Sequence, residues 1–203
     1  MELFLGVIIL IASAIIHEVM HGYVADKLGD PTARQMGRLT LNPIPHIDPL
    51  MSILVPLVLV VMGSPIIFGA AKPVPVNPRN FRDGKKDFAL VALAGPLTNF
   101  FIAVLAALLA RTFSSSHDVV FILSLVAFYN LILGFINLIP IPPLDGSRVF
   151  SYLLPSEISS FYNSIEPYGI FLVLILLSIS IGGLNLGSIL SNLVFTSMHF
   201  LGL

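Results

Sequence analysis

The sequence predicts an all-α polytopic membrane protein: about five transmembrane helices, one re-entrant or hairpin segment, and at most a short β element. Two observations carry this. Of 203 residues, 56% are hydrophobic and only 10% are charged, with a mean hydropathy of +0.97; soluble domains have about 25% charged residues. The apolar residues also fall in uncharged runs near the ~20 residues needed to cross a bilayer. The lipid bilayer is therefore the first partner. A net charge of −1 and the lack of a basic run leave no footprint for nucleic acid. Cysteine is absent, which excludes disulfides and thiolate metal sites, so any metal must be held by His, Asp or Glu.

Residues 3–25 form the first helix, ending at Asp26-Lys27. The run is apolar like a signal peptide, and Ala12-Ser13-Ala14 resembles a small-residue cleavage site. Glu2, however, stands where a positive n-region is required, so the run is read as a span. Residues 88–110 give a charge-free helix. Residues 119–139 give another, stopped by Pro140, Pro142 and Pro143. From 167 to 203 His199 is the single acidic or basic side chain, and the length fits two helices with Gly182-Gly183 and Asn185 as the turn.

Residues 49–71 are uncharged but interrupted by Pro49, Pro56, Gly63 and Pro65. Lys27, Arg34 and Arg38 precede the segment; Lys72, Arg79, Arg82, Lys85 and Lys86 follow it. The positive-inside rule puts both flanks in the cytoplasm, so the segment enters and leaves on one side. The first helix then runs outside to inside, 88–110 inside to outside, and 119–139 back again, leaving Arg111 alone outside. A simple span at 49–71 would export five positive charges. Irregular backbone survives at membrane depth only where protein or a water-filled cavity covers it.

His17-Glu18-Val19-Met20-His21 lies inside the first helix. Histidines four residues apart sit about 40° apart on one helical face, one turn separated. Both rings can reach one metal ion, and Glu18 can act as general base on water: this is the HExxH zinc pattern. Ionisable groups inside a bilayer are costly and usually functional. Catalytic zinc takes three protein ligands. The candidates for a third are Asp26, Asp30, His46, Asp48 and Asp145. Asp145 is preferred, because it follows a long apolar helix that the prolines unwind, on the side where His17 and His21 lie. Taken alone, its Pro-Pro-Leu-Asp-Gly segment is ordinary turn chemistry; with HExxH in the same chain it reads as a ligand.

Three stretches together resemble the site-2 protease family of intramembrane zinc metalloproteases: the HEVMH motif, Ala94-Gly95-Pro96-Leu97-Thr98-Asn99, and Asn137 through Leu144-Asp145-Gly146. Gly37–Pro43 and Phe68–Pro78 also resemble segments of compact prokaryotic members. The resemblance covers about residues 5–150. It implies one zinc ion held by His17, His21 and Asp145, Glu18 as the base, and Asn99 and Asn137 positioning substrate or transition state. Without it, those asparagines read as helix–helix hydrogen bonds. It further implies transmembrane protein or peptide substrates, and a prokaryotic cell membrane with the site toward the cytoplasm. Residues 1–150 are expected to form the protease core and 151–203 the C-terminal helices of the same domain. No stretch of these 203 residues resembles a PDZ or CBS domain. No internal repeat is visible of the kind that transporters built on broken helices carry. The segment 68–79 reads either as an edge for pairing an unwound substrate or as a cytoplasmic loop.

Overall fold

Apolar runs become helices wherever no proline or polar cluster interrupts them. The structure, a computed structural model, describes residues 2–62, 69, 71–178 and 185–203. The expected turn at Gly182-Gly183 lies outside them. The order is α1 (Glu2–Lys27), α2 (Thr32–Gln35), a π-helical stretch Pro49–Leu54 running into α3 (Val55–Val61), α4 (Gly84–Thr112), α5 (His117–Asn137), α6 (Asp145–Leu153), α7 (Ser156–Ser164), α8 (Glu166–Ser178) and α9 (Leu186–Leu201).

Helices α1, α4 and α5 are long and apolar enough to cross a membrane. The remaining apolar stretches are shorter. Helices α7 and α8 meet at 69° and can serve together as one broken span; α9 has 16 residues. The break has a local cause, since α7 is polar along SEISSFYNS and Glu166-Pro167 restarts the helix. Helices α1, α4 and α5 pack on one another, with α6 against α4 and α9 against α5. At the contact among α4, α5 and α9 the small residues Ala103, Ala106 and Ala127 are buried with Leu131 and Val194, and larger side chains such as Phe100, Phe128 and Phe135 pack around them. Small side chains let helices approach closely where lipid gives no hydrophobic drive. On α4, Leu97, Phe101, Val104, Leu105 and Leu108 are exposed. Their three- and four-residue spacing makes one outward stripe, the face a membrane helix turns to lipid.

The segment 49–71 behaves as its flanking charges predict. Among the described residues its helical part runs from Pro49 to Val61. Thirteen residues rise only about 20 Å, short of the ~30 Å hydrocarbon core. Its two ends meet: Lys72 N–H donates to His46 O at 2.8 Å. The chain thus leaves and returns at one place.

From Lys72 to Asn77 the chain is an extended strap lying along α1. Arg38 donates to Lys72 O and Pro73 O. Val74 N–H donates to Glu18 Oε2, and Asn77 N–H to Asp30 Oδ2. No strand occurs among the described residues. Pro73 and Pro75 carry no N–H, and the donors of Lys72, Val74 and Asn77 are already engaged, which reduces the donors the strap can offer to a pairing strand. Asp30, one of the candidates for a third ligand, is instead fully buried beneath the strap. It also accepts from Thr32 N–H, the Thr32 hydroxyl and Asn80 Nδ2, and so anchors the far end of the strap.

Candidate metal centre

His17 and His21 project from α1 onto α4, and both are buried. Their four-residue spacing brings Nε2 to Nε2 at 3.0 Å. Each ring is held from behind. His17 Nδ1 lies 2.6 Å from Asn99 Oδ1, and His21 Nδ1 lies 2.7 Å from Val91 O. Val91 O can only accept, so His21 carries its proton on Nδ1 and turns an Nε2 lone pair inward. Pro96 lacks the N–H that the Ala92 carbonyl would take, which loosens α4 at this level.

Asp145 reaches the same point from the start of α6. Pro140, Pro142 and Pro143 forbid continuation of α5, and residues 138–144 fold into a tight turn. Gly146 sits against the Leu138 carbonyl, where any Cβ would lie 2.1 Å from the oxygen. That close approach returns Asp145 toward α1. Its Oδ2 lies 3.0 Å from His17 Nε2 and 3.3 Å from His21 Nε2. It is a buried oxygen with no hydrogen-bond partner. Three donor atoms thus form a triangle with edges of 3.0, 3.0 and 3.3 Å. A tetrahedral zinc with 2.0–2.1 Å bonds has ligand–ligand edges of about 3.3–3.4 Å. The triangle is close to that size and its orphaned oxygen lacks a positive partner, so these residues fit zinc.

Glu18 stands beside the triangle. Its carboxylate and the two imidazoles offer donor atoms all within 4.8 Å of one another. With Oε2 taken by Val74 N–H, Oε1 is left for other work. Gly95 completes the cradle on α4. A Cβ there would fall 2.5 Å from His17 Nε2 and 2.6 Å from His21 Nε2. The centre exists in this form only because residue 95 has no side chain.

The other candidates lie apart. Asp26 pairs with Arg34. Asp48 caps the π-helical stretch by accepting from Leu50 N–H and Met51 N–H. His46 donates from Nε2 to Thr40 O within its turn. Asn99 touches His17 on the side of the ring remote from Asp145. Asn137 donates to Leu133 O of its own helix. Sequence reasoning passed over Asn130 and Ser13, which are buried behind Asn99. Asn130 was visible as an amide in an apolar helix, but nothing local named its partner. Ser13 entered the sequence reading only within Ala12-Ser13-Ala14, the stretch that resembles a cleavage site.

A family model described as Peptidase family M50 matches residues 110–180, a stretch that contains Asp145. YwhC of Bacillus subtilis is 39% identical over 187 residues, 87% of this chain and 81% of that one. Rip2 of Mycolicibacterium smegmatis is 29% identical over 181 residues, 86% of this chain and 68% of that one. A protein of Methanocaldococcus jannaschii is 26% identical over 150 residues, 74% of this chain and 34% of that one. All three carry the name zinc metalloprotease. No solved structure is a significant match.

Proposed function

This chain belongs to peptidase family M50 and is a zinc metalloprotease and an integral membrane protein; on that premise we propose that it hydrolyses peptide bonds within or beside the membrane-spanning segments of other proteins. His17, His21 and Asp145 would hold the zinc. Bound zinc supplies Lewis acidity, which brings the ionisation of water near pH 7 and polarises a carbonyl oxygen. Glu18 takes the proton from the attacking water and hands it to the leaving amine. Val74 N–H fixes one oxygen of that carboxylate, so the other is held ready for the proton. A substrate helix satisfies its own backbone hydrogen bonds, so its scissile bond becomes accessible only after local unwinding.

One observation carries this reading: the convergence of His17 Nε2, His21 Nε2 and Asp145 Oδ2 beside a tethered Glu18 carboxylate. His17 lies ten residues before the end of α1 at Lys27, about 15 Å along the axis. Together with the basic flanks, that supports a site on the cytoplasmic half of a prokaryotic cell membrane. Substrates are transmembrane proteins or peptides. The test is zinc content and cleavage measured together on a panel of single-span substrates in detergent. Glu18→Gln is expected to keep one zinc per chain and lose cleavage by at least about 100-fold, the low end for a general base. Asp145→Ala is expected to lower zinc content. Full activity in Glu18→Gln would sink the assignment.

A further inference from the structure

We propose that Asn130 and Ser13, acting through Asn99, fix the tautomer of His17 and thereby free its Nε2 for zinc. The proposal rests on His17 being a ligand, as read above. The argument starts at a backbone carbonyl. Val126 O can only accept, and Asn130 Nδ2 lies 2.8 Å from it, one turn along α5. That contact decides which way the Asn130 amide faces. The same nitrogen reaches Ser13 Oγ on α1, also at 2.8 Å. With both amide hydrogens placed, Asn130 presents Oδ1 to Asn99 Nδ2 at 2.8 Å. Asn99 must then turn its own Oδ1 to His17, where it lies 2.6 Å from Nδ1. A carbonyl oxygen only accepts, so the His17 proton sits on Nδ1 and Nε2 keeps its lone pair.

Asn99 and Asn130 are fully buried, and Ser13 and His17 nearly so. Water therefore cannot replace a lost partner. If Asn99 reversed, its amide N–H would face Nδ1 and drive the imidazole proton onto Nε2. A protonated Nε2 cannot ligate a metal. The relay spans three helices: Ser13 on α1, Asn99 on α4 and Asn130 on α5. Outer partners of metal-binding histidines set tautomer and ring orientation in this way. Asn130 is thus a positioning residue for a group it does not touch.

The test uses the full chain in detergent, with 15N-labelled histidine. The protein is stripped of zinc, the ring nitrogens of His17 are read by chemical shift, and Zn2+ is then titrated against a competing chelator. The wild type is expected to show a single Nδ1–H tautomer; an Nε2–H form there overturns the proposal outright. Asn130→Leu is expected to lose that single tautomer and to raise the zinc Kd about 10–100-fold. The double variant Asn99→Asp/Asn130→Leu is expected to recover both, because a carboxylate accepts from Nδ1–H in either orientation. An unchanged tautomer in Asn130→Leu overturns the proposal, whatever the Kd. So does a Kd rise that Asn99→Asp fails to reverse. His17→Ala separates the two readings. If it binds zinc like the wild type, the ligand assignment fails; if it loses zinc while Asn130→Leu is silent, only the relay fails.

Discussion

Replacing Gly95 with alanine places one methyl group where the structure holds two imidazole rings. The added Cβ would lie 2.5 Å from His17 Cε1 and Nε2 and 2.6 Å from His21 Nε2. Ordinary carbon contacts begin near 3.5 Å, so the overlap is about 1 Å. Exposed side chains relieve such overlaps by rotating, but these two cannot do so freely. His17 is tied to Asn99 and His21 to the Val91 carbonyl. The alternatives are to separate α1 from α4 or to swing both Nε2 atoms off the triangle. Overpacking of this kind costs about 1–3 kcal/mol, and a 1 Å misplacement at a reacting centre costs about 100-fold in rate. Gly95→Ala is therefore expected to melt below the wild type, to bind zinc at least tenfold more weakly, and to lose about two orders of magnitude in cleavage. Gly84→Ala is the control. Nothing lies within 4 Å of a Cβ at that position, and compatible Gly→Ala changes stabilise by about 0.4–1 kcal/mol. Thermal unfolding, a zinc titration and a cleavage assay on the same preparations decide the matter. Wild-type zinc affinity in Gly95→Ala would refute the argument that α4 packs on the rings themselves.

Gly169→Ala tests the other wall: its Cβ would fall 1.5 Å from Pro142 O, and a backbone carbonyl cannot rotate aside. A loss of about 1–3 kcal/mol is expected, with weaker zinc binding because residues 138–144 carry Asp145; an unchanged melting temperature would refute that contact. Asp30 gives the pH dependence. Burial pushes its carboxyl upward, but hydrogen bonds from the Thr32 hydroxyl, Asn77 N–H, Asn80 and Thr32 N–H outweigh this and hold it below the usual range. A carboxyl lowered by folding contributes stability that is fully present above its unfolded pKa and is lost as pH falls through the folded one. Melting temperature measured from neutral to acid pH should fall through that window in the wild type and fall less steeply in Asp30→Asn. The variant should also be about 1–3 kcal/mol less stable at neutral pH, because buried donors lose their acceptor; parallel acid limbs would count against the assignment. Chelation should lower the melting temperature, and zinc at 100 times its Kd should restore about 2.7 kcal/mol. A melting temperature indifferent to zinc would contradict a centre that forms only in the folded chain.

What could be read from the sequence was local or electrostatic. The four-residue spacing of His17 and His21 needs only a helix, and the uncharged runs placed α1, α4 and α5. The charges flanking 49–71 revealed a return to the same side, which the Lys72–His46 bond bears out. Asp145 was found because prolines mark where a helix must stop. The supports of the centre were not legible, because each is a pairing across a long stretch of chain. His17 meets Asn99 across 82 residues, Asn130 meets Ser13 across 117, and Val74 meets Glu18 across 56. An amide in an apolar helix signals a partner without naming it. Gly95 was legible as part of the Ala94–Asn99 stretch that carries the family resemblance, but not as the residue that makes room for the two rings. Helices α6 and α7 escaped because they are short and polar enough to pass for loop.

The hydrogen bond between Lys72 N–H and His46 O closes a ring of chain. The stretch it encloses begins and ends at one point, so its circumference is not a dimension of the metal centre. Ring-closure entropy grows only with the logarithm of length, about 0.6 kcal/mol for each doubling. Val74 and the Glu18 carboxylate it holds are placed by bonds outside that stretch, from Val74 N–H to Glu18 and from Arg38 to Lys72 O and Pro73 O.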